Sequence, residues 1–400
     1  MDRPLRVLYS FPHKLGARRI CETAWHQVDG LAAAGADVTV LTGSICRSLP
    51  EQIKVRTTLS WNRWKKLRIP YRLLGSLHAC ELHDWLVARQ LNALADKIDL
   101  VHAWSPAARR TIREAARLGI VTFLERQNAH TRFAYEVVQR ECDRIGVTLP
   151  RNYEHAYNEE LLRIEEEEFR LADCLLCPSD FVVRTFLDQG FPIEKLARHI
   201  RGFDEKTYYP ETEPRDPRRG LTMLFVGLCA VRKGVHYALE AWLQSSAHRN
   251  GTFLIAGEFL PAYAKRLSSL LAHPSVKVLG HRTDVPELMR SSDILTLPSI
   301  EEGFGRVCTE AMGSGCVPLV SDACTDLCEH MRNALVHRVG DVDTLSKQIT
   351  LLDKDRALLT RLRTAGLQKV PEITWSAAGQ TLLRVYRSVI RAQRRVKTAA

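Results

Sequence analysis

No stretch of this 400-residue chain approaches the ~20 consecutive apolar residues that a membrane-crossing helix needs, which excludes an integral helical membrane protein. Its eleven cysteines are odd in number and follow no spaced framework. A disulfide-stapled secreted domain is thereby excluded, and thiols in a reducing compartment, serving as small hydrophobes, are expected. The start, MDRPLRVLYS, carries no secretory h-region or small-residue cleavage site, so the expectation is a cytoplasmic protein. RNP-type sequence, zinc-finger spacing and basic-helix dimer patterns are lacking too, which leaves nucleic acid a poor candidate partner.

What is present is the composition of a soluble globular protein, 45% apolar and 26% charged. The length exceeds one ordinary core and suits two domains of roughly 150 to 200 residues each. A formal net charge of +11 points to anionic partners without choosing between nucleotide diphosphates, acidic lipids and nucleic acid. Short β-branched runs alternate with longer amphipathic stretches. Strands are predicted over 6–10, 38–42, 100–104, 121–124 and 174–177, then over 221–226, 253–256, 276–279, 294–297 and 317–321. Helical patterns lie between them, for example over 20–34, 158–171 and 235–245. This alternation argues for parallel sheets covered on both faces, and two such series argue for two doubly wound α/β domains. The join reads in residues 201–220 (RGFDEKTYYPETEPRDPRRG), dense in Pro, Gly and charge. The predicted division is 1–204, 205–375 and a final amphipathic helix over 376–400.

The densest group of chemistry-bearing residues is 293–322 (DILTLPSIEEGFGRVCTEAMGSGCVPLVSD). A strand ends at Pro298-Ser299 and a turn punctuated by Gly303 and Gly305 follows. A helix then runs to Met312 before Gly313 and Gly315 close it. Glu302 is therefore expected on the turn and Glu310 between one and two turns into the helix. Both belong at the carboxyl edge of a sheet, where open α/β sheets bind ligands. Glycines there let the backbone approach a ligand, and free N–H groups at the helix start favour an anion. Carboxylates at such a turn suit a polyhydroxylated ligand, because each accepts two hydroxyl hydrogen bonds. A second group is 221–242 (LTMLFVGLCAVRKGVHYALEAW), where a strand runs into Gly227 and a loop leads to Arg232-Lys233-Gly234 at a helix start. Two cations beside exposed helix N–H groups make a natural seat for a diphosphate.

In this order the two groups closely resemble the retaining glycosyltransferases of family 4, which have the GT-B fold. The run E-G-F-G-x4-E-A-M-x2-G contains their E-x7-E hallmark, here Glu302 and Glu310. Further landmarks of the family are resembled by Gly202-Phe203-Asp204 through Pro210 and by Ala172-Asp173 with Pro178-Ser179. Residues 333–345 (NALVHRVGDVDTL) and Ile373-Thr374-Trp375 resemble two more. The likeness covers nearly the whole chain and is densest from 221 to 345. It implies two Rossmann-like domains facing across a cleft, the first on the acceptor side and the second binding the nucleotide sugar, with the C-terminal helix crossing back to the first. It also implies transfer of a sugar from a nucleotide-diphosphate sugar, UDP- or GDP-linked, to a hydroxyl of a glycan, lipid-linked or small-molecule acceptor. On this resemblance Glu310 holds the donor ribose, and Glu302, with the backbone of Gly303, Phe304 and Gly305, holds the transferred sugar. Lys233, with Arg232 beside it and Gly227 at the strand end, meets the diphosphate. His130, in ERQNAH after a strand, matches the histidine near the sugar, and Gly16, in PHKLGARR, matches the first-loop glycine. Three departures stand out: Leu228 replaces the usual Arg after the strand glycine, the first loop lacks paired glycines, and Arg201 replaces the usual Asn. No Asp-x-Asp stands where a sugar would lie, so neither a metal nor a separate cofactor is expected.

Other readings attach to the same residues. The His130 ring is equally read as an ordinary hydrogen-bonded histidine, and Gly16 as an ordinary turn glycine. Cys174 and Cys177 form C-x2-C, but residues three apart on a strand face opposite sides and do not share an ion. Cys324, Cys328 and His330 would align on a helix yet lack a fourth ligand, so zinc is not expected. Asp341-Val342-Asp343 precedes a helix and reads as capping; glutamates 165–168 read as a solvated helix face. Residues 61–74 (WNRWKKLRIPYRLL) interleave aromatics with basic side chains, and the tail 391–397 is basic as well. Each reads as exposed surface, as a guide for the acceptor, or as peripheral contact with an anionic membrane at its cytoplasmic face. Three other classes compete with a transferase: a nucleotide-sugar-binding scaffold without turnover, a nucleic-acid binder using the +11 charge, and a two-carboxylate glycoside hydrolase. The last needs its acids on either side of a scissile bond, whereas both glutamates here come from one turn and helix.

Overall fold

The computed structural model describes residues 3–60, 74–211 and 219–399, with side chains of the last helix to Gln393. Residues 61–73 of the basic aromatic segment, 212–218 of the expected linker and the side chains of 394–397 in the basic tail lie outside the described residues.

Seven strands make the first sheet: β1 (Arg6–Leu15), β2 (Asp37–Ile45), β3 (Lys54–Thr57), β4 (Leu100–Trp104), β5 (Val121–Glu125), β6 (Cys174–Cys177) and β7 (Leu196–Arg198). Six make the second: β8 (Thr222–Val226), β9 (Thr252–Ala256), β10 (Val276–Gly280), β11 (Ile294–Leu297), β12 (Val317–Ser321) and β13 (Leu335–His337). Their orders are β3–β2–β1–β4–β5–β6–β7 and β10–β9–β8–β11–β12–β13, with parallel neighbours throughout. Each sheet grows both ways from its first strand, so each has one switch point, between β1 and β4 and between β8 and β11. The two doubly wound sheets are the predicted fold class.

The central strands are apolar on both faces because helices cover both sides of a parallel sheet. LVHAW in β4 and VPLVS in β12 are buried along their whole length. On β6, Cys174 and Leu176 enter the core on one side while Leu175 and Cys177 enter it on the other, so the two thiols do face opposite ways. Helix starts are fixed by short polar side chains. Asn158, Ser179 and Asp341 each accept a hydrogen bond from the amide three residues on, which for Asp341 is the expected capping role.

The last helix, Trp375–Ala399, packs on the first sheet, placing Leu382, Leu383, Tyr386 and Ile390 in a core shared with Val7, Tyr9 and Trp104. Gly379 lies directly against Gly30 of the helix Ile20–Ala33; a Cβ there would stand 2.5 Å from the Gly30 carbonyl. The two chain crossings between the sheets run side by side, with Phe203 N donating to Ile373 O at 3.2 Å. Among the described residues, no helix is long and apolar enough to cross a membrane.

Candidate active site

The two sequence groups meet at the carboxyl edge of the second sheet, on either side of its switch point. Gly227 ends β8, and the loop after it closes in a 3-10 turn, Val231–Lys233. Beyond β11 the chain turns through Glu301 and Glu302, and Ile300 N donates to Arg232 O at 2.8 Å, tying the two loops together. Gly305, at φ 68, forms the left-handed step from which the helix Arg306–Gly313 starts. Glu302 therefore lies on the turn and Glu310 one turn into the helix.

Charges pair in a ladder across these loops. Lys233 Nζ donates to Glu302 Oε2, and Arg232 Nη1 donates to both the carbonyl and Oε1 of Glu301 at 3.0 Å. Burial alone would raise the Glu302 carboxyl, but the charges of Lys233 and Arg232 outweigh it and bring it down to about 2. Glu302 stays ionised. Burial pushes Glu301 up instead, against the pull of Arg232. Glu310 is also pushed up by burial, although Arg306 Nε donates to it at 3.0 Å and Tyr208 bonds it as well. Arg306 reaches across to Glu22 of the first half at 3.1 Å.

The diphosphate pair expected from Arg232-Lys233 is thus split. Arg232 is buried and committed to Glu301, whereas Lys233 stands beside Glu302 at the sheet edge. Glu301 is the residue that motif reading missed. Its signal was a register: an acidic doublet, Glu301-Glu302, matches the basic doublet Arg232-Lys233 pair for pair.

Gly303 lies close against the backbone of the first half. A Cβ on it would lie 1.8 Å from Gln127 O, beyond the end of β5, and Ser179 Oγ donates to its carbonyl at 2.6 Å. Phe304 is buried beside it. Facing this turn, the first half holds a cavity of about 450 Å³ whose lining includes His13, Ser105, Arg126, Asn128 and His155. Part of the wall comes from the ends of β1, β4 and β5, the switch-point edge of the first sheet, and the rest from helices and the loop that carries His155.

His130 does not reach this space. Its ring packs among Phe169, Phe186 and Phe191, with centroids 5.0 to 5.8 Å apart, and burial, then Arg126, Arg132 and Arg170, lower its pKa to about 3. His155, like His13, is on the cavity wall, and it lies 3.5 Å from Glu301. Gly16 forms the turn after β1 at φ 83, where a Cβ would stand 2.6 Å from the Arg47 side chain.

Two further expectations need correction. Glutamates 165–168 are not a uniformly solvated face. Glu165 and Glu168 are buried, with Glu168 accepting from Ala108 N at 2.7 Å, while Glu166 and Glu167 pair with arginines including Arg132 and Arg109. Residues 324–330 form turns instead of a helix; Cys324 Sγ donates to Leu297 O at 3.3 Å and His330 Nδ1 accepts from Val336 N at 3.0 Å.

Two doubly wound sheets whose switch-point edges face each other define the GT-B architecture. Solved structures share it. The UDP complex of Alr3699/HepE from Anabaena superposes with a TM-score of 0.65 at 17% identity, covering 96% of this chain and 100% of that one. Sucrose-phosphate synthase from Thermosynechococcus elongatus gives 0.67 at 18% identity, covering 98% and 100%. Two family models match the sequence, "Glycosyl transferase 4-like domain" over residues 21–199 and "Glycosyl transferases group 1" over residues 220–355. The chain belongs to the GT-B glycosyltransferases of this family 4 type. Among curated relatives, the N,N'-diacetylbacillosaminyl-diphospho-undecaprenol alpha-1,3-N-acetylgalactosaminyltransferase of Campylobacter jejuni is 31% identical over 29% of this chain. The phosphatidyl-myo-inositol mannosyltransferase of Mycobacterium leprae is 31% identical over 46%. The matched stretches span 32% and 51% of those relatives' own lengths.

Proposed function

We propose that the protein is a retaining glycosyltransferase that moves a sugar from a nucleotide-diphosphate sugar, UDP- or GDP-linked, to a hydroxyl of an acceptor. The observation that carries this reading is the grouping of Glu302, Glu310 and Lys233 at the switch-point edge of the second sheet, opposite a cavity at the corresponding edge of the first. In this reading residues 1–204 are the acceptor side, 205–375 the donor side and 376–400 the returning helix. Glu310 accepts the ribose hydroxyls, and Glu302 with the backbone from Gly303 to Gly305 accepts the sugar. Lys233, now on Glu302, is shared with the diphosphate when the donor enters.

As the bond from sugar to diphosphate breaks, charge gathers on the leaving oxygens, and Lys233 and fixed backbone N–H groups stabilise it. The acceptor hydroxyl, passing its proton to the departing diphosphate oxygen, attacks from the face that group leaves, which keeps the anomeric configuration. Lys233 supplies the positive charge, so turnover is expected to persist in a chelator. The UDP and UDP-glucose of the HepE complexes support a nucleotide-sugar donor. Lipid-linked substrates in the relatives' names support a lipid-linked acceptor and peripheral contact at the cytoplasmic membrane face, read out by flotation with acidic liposomes.

A thermal-shift panel of nucleotide diphosphates tests the donor half. Ligands that bind only the folded chain raise its Tm, so UDP or GDP is expected to do so, and no response to any nucleotide would overturn the reading. Lys233→Ala is then expected to lower kcat by roughly 10²-fold with a smaller change in donor KM, because the leaving charge peaks in the transition state. An unchanged kcat removes that role from Lys233.

A further inference from the structure

The cavity of the first half, about 450 Å³, falls within the ~300–1,000 Å³ typical of small-molecule sites. Arg126 and Glu165 on its wall are already committed. Arg126 donates to Glu165 at 3.0 Å and to the Ala129 carbonyl at 2.7 Å, and Glu165 also accepts from Ser105 and Thr131. Uncharged amides and hydroxyls, including Gln127, Asn128, Tyr135 and Asn158, make up much of the remaining lining. A phosphate entering here would meet the carboxylates of Glu154 and Glu165 and, among the described lining residues, no uncommitted guanidinium.

His155 joins this wall to the donor turn. Its Nδ1 lies 3.5 Å from Glu301 Oε1 and its Nε2 3.7 Å from Glu154 Oε1, both longer than a good hydrogen bond. Room is left on the ring for another polar atom. Glu301, adjacent in sequence to Glu302, is fully buried, and its Oε2 has no hydrogen-bond partner among the described residues. Burial, then the charges of Arg232, Lys233 and Arg126, push His155 well below the ordinary imidazole range. The neutral ring offers one donor and one acceptor nitrogen, the complement of a hydroxyl.

We propose that His155, positioned by Glu301, binds the acceptor, and that the cavity receives a neutral, hydroxyl-bearing sugar end of that acceptor in preference to a phosphorylated one. This deepens the transferase reading, on which it rests, by naming the class of the second substrate.

Saturation-transfer NMR in the presence of UDP tests it with three probes: methyl glucoside, methyl N-acetylglucosaminide and glucose 6-phosphate. At least one neutral glycoside is expected to bind saturably and more tightly than the phosphate. His155→Leu is expected to weaken that binding about tenfold, the loss of one well-placed hydrogen bond, with the UDP Kd unchanged. Glu301→Gln is expected to weaken it less, and His155→Gln, which keeps a hydrogen-bonding side chain, to recover part of the loss. Asn128→Ala, on the same wall, reads the same effect should His155→Leu fail to fold. Tighter binding of glucose 6-phosphate, wild-type glycoside binding in His155→Leu, or no saturable glycoside binding by a protein that binds UDP would each overturn the proposal. Failure of the unmodified protein to bind either UDP or GDP overturns the transferase reading and this proposal with it.

Discussion

At Gly303 two backbones touch that belong to different sheets. The missing Cβ would sit 1.8 Å from Gln127 O and 2.8 Å from its carbonyl carbon, and neither can rotate away as a side chain would. Gly303→Ala is therefore expected to push apart the two halves at the turn that carries Glu302. Overpacking of this kind costs about 1–3 kcal/mol, which a shift in the urea midpoint would register. If the halves must meet for turnover, donor KM rises as well; a variant with wild-type stability and KM would show that the contact yields freely. The same residue marks how far the sequence could be read. Glycines, carboxylates and a lysine at strand ends identify an edge and its chemistry, because strand, turn and helix start leave local signatures. Which way each side chain points is decided by packing that no local signature records. His130 follows a strand end as expected but turns into a pocket of three phenylalanines, while His155 reaches the cavity from a loop that no strand end announces. Arg232 and Lys233 are neighbours in sequence yet serve different partners, since adjacent residues of a tight turn leave it in different directions.

The helix Thr131–Ile145 shows the same division among elements. Its buried side chains, Ala134, Tyr135, Val138, Cys142 and Ile145 among them, form one stripe; its polar contacts with the other half come from the tertiary fold. Glu141 accepts from His236 at 2.8 Å and from Tyr237 at 2.7 Å, both on the helix Val235–Gln244 of the second half. Burial raises the Glu141 carboxyl, but hydrogen bonds from His236, Arg144 and Tyr237 outweigh it and lower its pKa from 4.5 to about 2. A carboxyl whose folded pKa lies below its unfolded one stabilises the fold above the unfolded value, and that stability is lost as pH falls through the folded one. The contact between the halves is thus expected to weaken as pH drops from 4.5 towards 2. Glu141→Gln, which cannot titrate, is expected to flatten that part of the stability–pH curve measured by urea unfolding; an unaltered slope would assign the acid sensitivity elsewhere. Among strands, β3, β7 and β13 escaped prediction, and all three lie at sheet edges. Edge strands are short and often half-exposed, as in KVRT of β3, so the continuous apolar run that announces a central strand is absent. Glu168 escaped for a related reason: buried, it caps the neighbouring helix start at Ala108, a role set by the packing of two helices.

On the scale of the whole molecule, the chain closes on itself. The last helix leaves the second half at Trp375 and buries Leu382, Leu383, Tyr386 and Ile390 against the first sheet. Its amphipathic period was legible in sequence; the face it covers, on a sheet whose first strand lies near the other end of the chain, was supplied by the resemblance alone. The magnitude decides what its removal does. Burying a large apolar side chain is worth about 1.5–3 kcal/mol, so these four contribute roughly 6–12 kcal/mol, an upper estimate because unfolded chains already bury some surface. Net stabilities of folded domains are only about 5–15 kcal/mol. A chain ending at Thr374 would also expose the matching face of the helix Ile20–Ala33, where Gly30 receives Gly379. That truncation is expected to leave the first half without a cooperative urea transition, while Gly379→Leu, which keeps every apolar contact residue but wedges the two helices apart, lowers the midpoint without abolishing the transition. Equal midpoints for the full and shortened chains would mean that the first half is stable by itself and that the returning helix serves only to hold the two halves in register.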